Sequence, residues 1–196
     1  MRSSRTHKSP ALAERHVPLR LRDDGGIRLV VVADTHSAPH PDAERRIEAE
    51  RPDAILHAGD IGDLSVLDRL GALAPVVAVR GNIDAGAPGV PDVAILSLER
   101  EGAPVMTLVM LHIAVYGPKI RADAAQLARR SGADLIVCGH SHVPFVARDK
   151  GLVVFNPGSI GPRRPPLPIV YGVLEIEAGA MKVRHMSCET GERWLP

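Results

Sequence analysis

The chain has 196 residues, 24 Lys+Arg against 23 Asp+Glu, and 45% hydrophobic residues. That length accommodates one domain with a sizeable core, and a net charge of +1 argues against a general nucleic-acid or membrane-surface binder. Aromatic residues make up only 3%, so the core is expected to be aliphatic, with little material for stacking bases.

Two cysteines, Cys138 and Cys188, give no disulfide framework, and a reducing cytoplasm is the expected compartment. No apolar run is long enough to span a membrane. Residues 1–16 read as a flexible basic tail, without the apolar centre of a secretory signal, and residues 17–196 as a single domain. Val17–Arg22, the turn cluster Asp23–Gly26 and Ile27–Ala33 read as a β-hairpin, whose edge could pair across subunits of a homo-oligomer.

Ile27–Ala33 is nearly continuous and β-branched, as in a strand buried on both faces. Asp42–Arg51 reads as a helix with Ala43 and Ile47 inward, ended by Pro52. Ala54–Leu56 is a short strand. Asp63 is placed to cap a helix reaching about Leu70, and Pro75–Val79 is the next strand. Strand alternating with helix implies right-handed crossovers and a parallel sheet. Val93–Leu98 and Val105–Ile113 read as strands joined by a polar turn, Lys119–Ser131 as an Ala-rich helix, and Asp134–Cys138 as a strand. Short strands follow at Phe145–Ala147, Leu152–Phe155, Ile169–Ile176 and Met181–Met186, in a meander-like pattern. Two sheets between helices would accommodate both halves.

Asp34-Thr35-His36, Gly59-Asp60, Gly81-Asn82, His112 and Gly139-His140-Ser141-His142 each lie at or just past the end of an apolar run. In an open α/β sheet, ligands bind beyond the carboxyl ends of the strands. Each piece alone is a common turn or a core histidine. Together they aim two Asp, one Asn and four His at one crevice, a set suited to divalent metals of intermediate hardness. Seven ligands exceed what one ion needs and fit two ions sharing a bridge. Ions roughly 3.5–4 Å apart clamp the attacking and leaving oxygens of a displacement at phosphorus. Manganese is the expected metal, with iron, zinc, nickel or cobalt as alternatives.

These motifs resemble the calcineurin-like metallophosphoesterase superfamily, from about Ile27 to Met186. The small size, Asn156-Pro-Gly-Ser159 and Gly161-Pro-Arg163 look most like its compact bacterial and archaeal phosphodiesterase branch, which also includes the retromer scaffold subunit. The resemblance implies a four-layer αββα sandwich of two mixed sheets flanked by helices. It implies that Asp34, His36, Asp60 and His142 hold one metal and Asp60, Asn82, His112 and His140 a second, with Asp60 as bridge and Asp60, Asn82 and His112 as catalytic residues. The implied reaction is in-line attack of a metal-bridging hydroxide on a small phosphate ester, most plainly a diester.

The chain departs from the family pattern twice. Ile83 stands where a histidine often follows Gly-Asn; an apolar side chain cannot protonate a leaving group, so esters with good leaving groups are favoured. Asp84 beside it reads as a solvated cap of the following loop, with a substitute acid as the alternative. Ile113 stands where glycine commonly follows the histidine and is expected to crowd the second metal. Asn156 is a candidate brace for the ligand loop, and Arg163 a candidate phosphate contact. His57 reads as structural, and His7, His16, His40 and His185 as surface residues. The competing reading is a non-catalytic scaffold on the same fold; a nucleic-acid nuclease fits the near-neutral charge less well.

Overall fold

The computed structural model describes residues 12–177 and 179–195. In chain order it comprises β1 (Glu14–Arg20), β2 (Ile27–Val32), α1 (Ala43–Ala49), β3 (Ala54–His57), α2 (Ser65–Gly71), β4 (Val76–Ala78), β5 (Val93–Arg100) and β6 (Ala103–Leu111). A small hairpin, β7 (Val115–Tyr116) and β8 (Lys119–Ile120), leads into α3 (Ala122–Ser131) and β9 (Leu135–Val137). β10 (Phe145–Asp149), β11 (Leu152–Asn156), β12 (Val170–Glu177), β13 (Ala180–Ser187) and β14 (Arg193–Trp194) complete it. The strands form two six-stranded sheets, ordered β1-β5-β6-β9-β11-β10 and β14-β13-β12-β2-β3-β4. Both mix parallel and antiparallel pairs.

The layering follows from side-chain alternation along the strands. Leu29 and Val31 of β2 face Leu96, Leu108, Met110 and Phe155 across the gap between the sheets. Val30 and Val32 face outward onto Ala43 and Ile47 of α1 and Val66 and Leu70 of α2. On the other sheet, Val109 and Ile136 turn outward onto Ala124, Leu127 and Ala128 of α3. Helix, sheet, sheet, helix is thus the order of layers, with an aliphatic inner core as the composition implied. α3 ends at Gly132, left-handed at φ 62°, the conformation a helix terminus commonly assigns to glycine.

Two sequence expectations are corrected. β1 and β2 are not a hairpin: β1 pairs in parallel with β5, and β2 is flanked by β12 and β3 in the other sheet. β12, far along the chain, takes the edge of β2 that a hairpin would have used. Of these two strands β1, and not β2, lies at a sheet edge, and it begins at Glu14, inside the stretch read as tail; residues 1–11 of that stretch, with His7, lie outside the described residues. No helix among the described residues is long and apolar enough to cross a membrane.

Candidate metal centre

β2, β3 and β4 are parallel neighbours, so their carboxyl ends deliver Asp34, Asp60 and Asn82 to one rim. β6 and β9 are also parallel and deliver His112 and His140. The loops are tied to one another by the backbone: Asp34 N–H donates to Gly59 O (2.9 Å), His36 N–H to Asp60 O (3.0 Å) and Gly139 N–H to His112 O (3.0 Å). Five of the candidate ligands hold left-handed backbone: Asp34 (φ 55°), His36 (45°), Asp60 (54°), His140 (68°) and His142 (59°). Such conformations are strained for residues other than glycine and concentrate at functional sites.

Two groups of side chains converge closely enough to share an ion: Asp34, His36 and His142, and Asp34, Asp60 and His112, with ligand atoms within 4.8 Å of one another in each. Asp60 lies between two histidines, with Oδ1 3.3 Å from His112 Nε2 and Oδ2 3.8 Å from His36 Nε2. His142 Nε2 is 3.4 Å from Asp34 Oδ1 and 3.3 Å from His36 Nε2. His140 and Asn82 stand at the exposed edge of this cluster. The His140 ring lies 5.2 Å from that of His112, edge to face, and Asn82 shares a cavity of about 240 Å³ with His112.

The donor set fits a cation. His112 Nδ1 lies 2.8 Å from Ala58 O; a carbonyl only accepts, so Nδ1 carries the proton and Nε2 presents its lone pair. That buried Nε2 has no hydrogen-bond partner and faces a carboxylate oxygen, an arrangement that repels unless positive charge lies between. Asp34 is pushed up to about 8 by burial and then by the neighbouring Asp60, against the His140 N–H and Arg164. Burial, then the charges of Arg164 and His36, push His142 down to about 4. Burial also lowers His112. The cavity therefore disfavours both bare carboxylate charge and imidazolium, and neutral imidazoles are the form that ligates metal.

A shell of residues fixes these groups. Asn156 Nδ2 donates to Gly139 O (2.7 Å) and Ser141 Oγ (3.1 Å), bracing the loop that carries His140 and His142. His57 is buried, and its Nδ1 accepts the Gly59 N–H (3.2 Å). Its Nε2–H therefore donates to Thr35 Oγ1 (3.0 Å), whose hydroxyl donates onward to Ile61 O (2.9 Å). Gly81 packs so closely that a Cβ there would lie 2.1 Å from Asp60 N, a contact only glycine allows.

Several site assignments read from the sequence change. Asp84 is not a solvated cap: it is 4% exposed and accepts the N–H groups of Ile61 (3.0 Å), Gly62 (2.9 Å) and Gly81 (2.8 Å). Burial raises its pKa, but those N–H groups outweigh it and hold the carboxyl below its usual range. Arg163 pairs with Glu189, away from the ligands, whereas Arg164 donates to His36 Nε2 at 3.2 Å. Ile113 is half-buried and lines the cavities beside His112 and His140. His185 is buried, with Nε2 2.8 Å from Asn156 O. His16 is exposed and His40 half-buried. Nothing in the local sequence distinguishes Asp84 from a loop cap or Arg164 from Arg163, because both distinctions depend on which way adjacent residues turn in the folded loops.

Residues 27–179 match the family described as the calcineurin-like phosphoesterase superfamily domain. The chain is 32% identical over 151 residues to a probable metallophosphoesterase of Methanocaldococcus jannaschii, covering 73% of each chain. Among solved structures, it is similar to a predicted phosphoesterase from Streptococcus pneumoniae (TM-score 0.62, 22% identity, 86% of this chain and 93% of that one). It is also similar to Vacuolar Protein Sorting 29 from Cryptosporidium parvum (TM-score 0.71, 17% identity, 86% and 95%). With its two mixed sheets and its converging carboxylates and imidazoles, the chain belongs to the calcineurin-like phosphoesterase superfamily.

Proposed function

We propose that this protein is a metal-dependent phosphodiesterase with a dinuclear centre. The observation that carries the reading is Asp60, whose two oxygens address different histidines, His112 and His36, as a bridging carboxylate would. Asp34, His36, Asp60 and His142 would hold one ion, and Asp60, Asn82, His112 and His140 the other. Bound divalent ions, manganese in the first instance, supply Lewis acidity and lower the pKa of water toward neutrality.

The chain's own residues set the rest. Asp84 holds the Asp60 and Gly81 loops in register through its three N–H contacts. The His57–Thr35 pair fixes the loop between Asp34 and His36. Arg164 donates to His36 Nε2; were an ion to take that lone pair, the guanidinium would be free for the phosphoryl oxygens of a substrate, where Arg binds well. Ile83, 52% exposed beside Asp60, supplies no proton for a departing alkoxide. Diesters with acidic leaving groups are therefore favoured over unactivated monoesters.

The test is hydrolysis of bis(p-nitrophenyl) phosphate by metal-stripped protein resupplied with manganese, with p-nitrophenyl phosphate run in parallel. Manganese-dependent cleavage, faster for the diester and abolished by Asp60→Asn, is the expected result. Similarity to Vacuolar Protein Sorting 29 supports a second reading, a non-catalytic interaction protein. Retention of all seven candidate ligands favours the enzyme. A folded protein inactive with every divalent ion tried would favour the other.

A further inference from the structure

A second cavity opens directly beside the candidate ligands. It has a volume of about 590 Å³, within the roughly 300–1,000 Å³ usual for small-molecule sites. His140 and Ser141 form the wall it shares with the centre, while Ile113, Val115, Tyr116, Val143 and Phe145 supply its apolar surface. Arg121 is the charged residue at its rim, and its guanidinium is paired with Asp123 at 2.8 Å. No uncompensated charge therefore faces the cavity from the described residues that line it.

Val115 and Phe145 pack against the core under α3, whereas Tyr116 and Val143 are exposed. The chain has only five aromatic residues. Phe155 and Tyr171 are buried in the core, whereas Tyr116 and Phe145 line this cavity. Tyr116 is 85% exposed and Val143 44%. Tyr116 is held out by the β7–β8 hairpin, where it pairs with Lys119 across a tight turn. A ring presented this way, next to aliphatic neighbours and opening onto a polar centre, is the usual form of a ligand wall. The cavity on the other side of Ile113 and Arg121, which reaches Asn82 and His112, is smaller, at about 240 Å³, and includes the Arg80–Asp92 ion pair.

A diester has two organic arms on one phosphorus, and two unequal cavities flank this centre. We propose that the larger one binds an organic group of the ester substrate, and that this group is a flat, apolar, aromatic-sized ring seated against Tyr116, Val143 and Phe145. This assignment rests on the phosphoesterase reading above and names the substrate class it takes.

The test separates the two. Affinities of phenylphosphonate and methylphosphonate for the manganese-loaded protein are measured by calorimetry, in the parent and in Tyr116→Ala and Val143→Ser. Both positions are exposed, so the fold is retained, which circular dichroism checks. Phenylphosphonate should bind about tenfold more tightly than methylphosphonate, and both variants should remove most of that preference while leaving methylphosphonate affinity unchanged. In hydrolysis, diesters that share a p-nitrophenolate leaving group should show the same preference for an aryl over a methyl second arm. Equal binding of the two phosphonates overturns the cavity assignment and leaves the metal reading standing. Equal loss of both in Tyr116→Ala also overturns it. Failure of both phosphonates to bind removes the metal reading, and the cavity assignment with it.

Discussion

Replacing Asp84 with alanine removes a carboxylate that no candidate metal needs, yet the structure predicts a severe effect. Three backbone N–H groups, from Ile61, Gly62 and Gly81, lose their acceptor at 2.8–3.0 Å. A buried donor left unpaired costs about 1–3 kcal/mol. The Ile61 N–H is buried, whereas those of Gly62 and Gly81 are half-buried and regain some water, so the total comes to about 3–5 kcal/mol. Asp84→Asn keeps one oxygen but turns an amide N–H₂ toward a donor, and should lose about half as much. The assay is urea unfolding followed by far-UV circular dichroism at pH 7, with equal slopes confirming that stability alone has changed. Because the Asp84 carboxyl is held below its usual range, its contribution is present above the unfolded value near 4 and fades as the pH falls through the lower native one; the variants should lack that acid-side loss. Manganese affinity should also weaken by about tenfold or more, since the Asp60 and Gly81 loops lose their common anchor. A variant within about 1 kcal/mol of the parent, with unchanged metal affinity, would refute the reasoning and restore the solvated-cap reading.

Gly81→Ala places a Cβ 2.1 Å from Asp60 N and 2.2 Å from Asp60 Oδ1, so metal titration should show loss of binding while circular dichroism stays near that of the parent. Arg164→Ala should raise KM for diesters by about tenfold, and Arg163→Ala should leave it unchanged, because only Arg164 reaches the candidate ligands. In the metal-free protein Asp34 is pushed up to about 8, so it is largely protonated at pH 7. Manganese uptake should then release about one proton and tighten with pH up to about 8 before levelling off. Calorimetry in buffers of different ionisation enthalpy measures this. Asp34 also makes the metal-free fold lose stability as pH rises toward 8, because the native state holds that proton and the unfolded chain does not.

Most of the layered fold was legible because the strands are apolar runs whose alternating residues face two different cores. Leu29 and Val31 against Val30 and Val32 show this within one strand. The position of β1 was not legible. Its neighbour depends on which strand fills the edge of β2, and the answer lies about 140 residues away in β12. At the site, the motif residues converge as their places after strands implied. The supporting groups were hidden, since a buried aspartate that accepts three N–H groups and a solvated one that caps a loop read alike in sequence. His185 was hidden for a related reason: its burial comes from Phe155 and Trp194, and β14 was too short to recognise.

The left-handed backbone at Asp34, His36, Asp60, His140 and His142 sets the chemistry of this fold against its durability. Each such residue costs about 1–2 kcal/mol relative to glycine. His140 is exposed, so exchanging it for glycine removes a candidate ligand while relaxing the chain. A variant that loses this one candidate ligand can therefore be hardier than its parent, the reverse of what core substitutions do. Losing that candidate ligand costs the backbone nothing, whereas regaining it means rebuilding strained backbone.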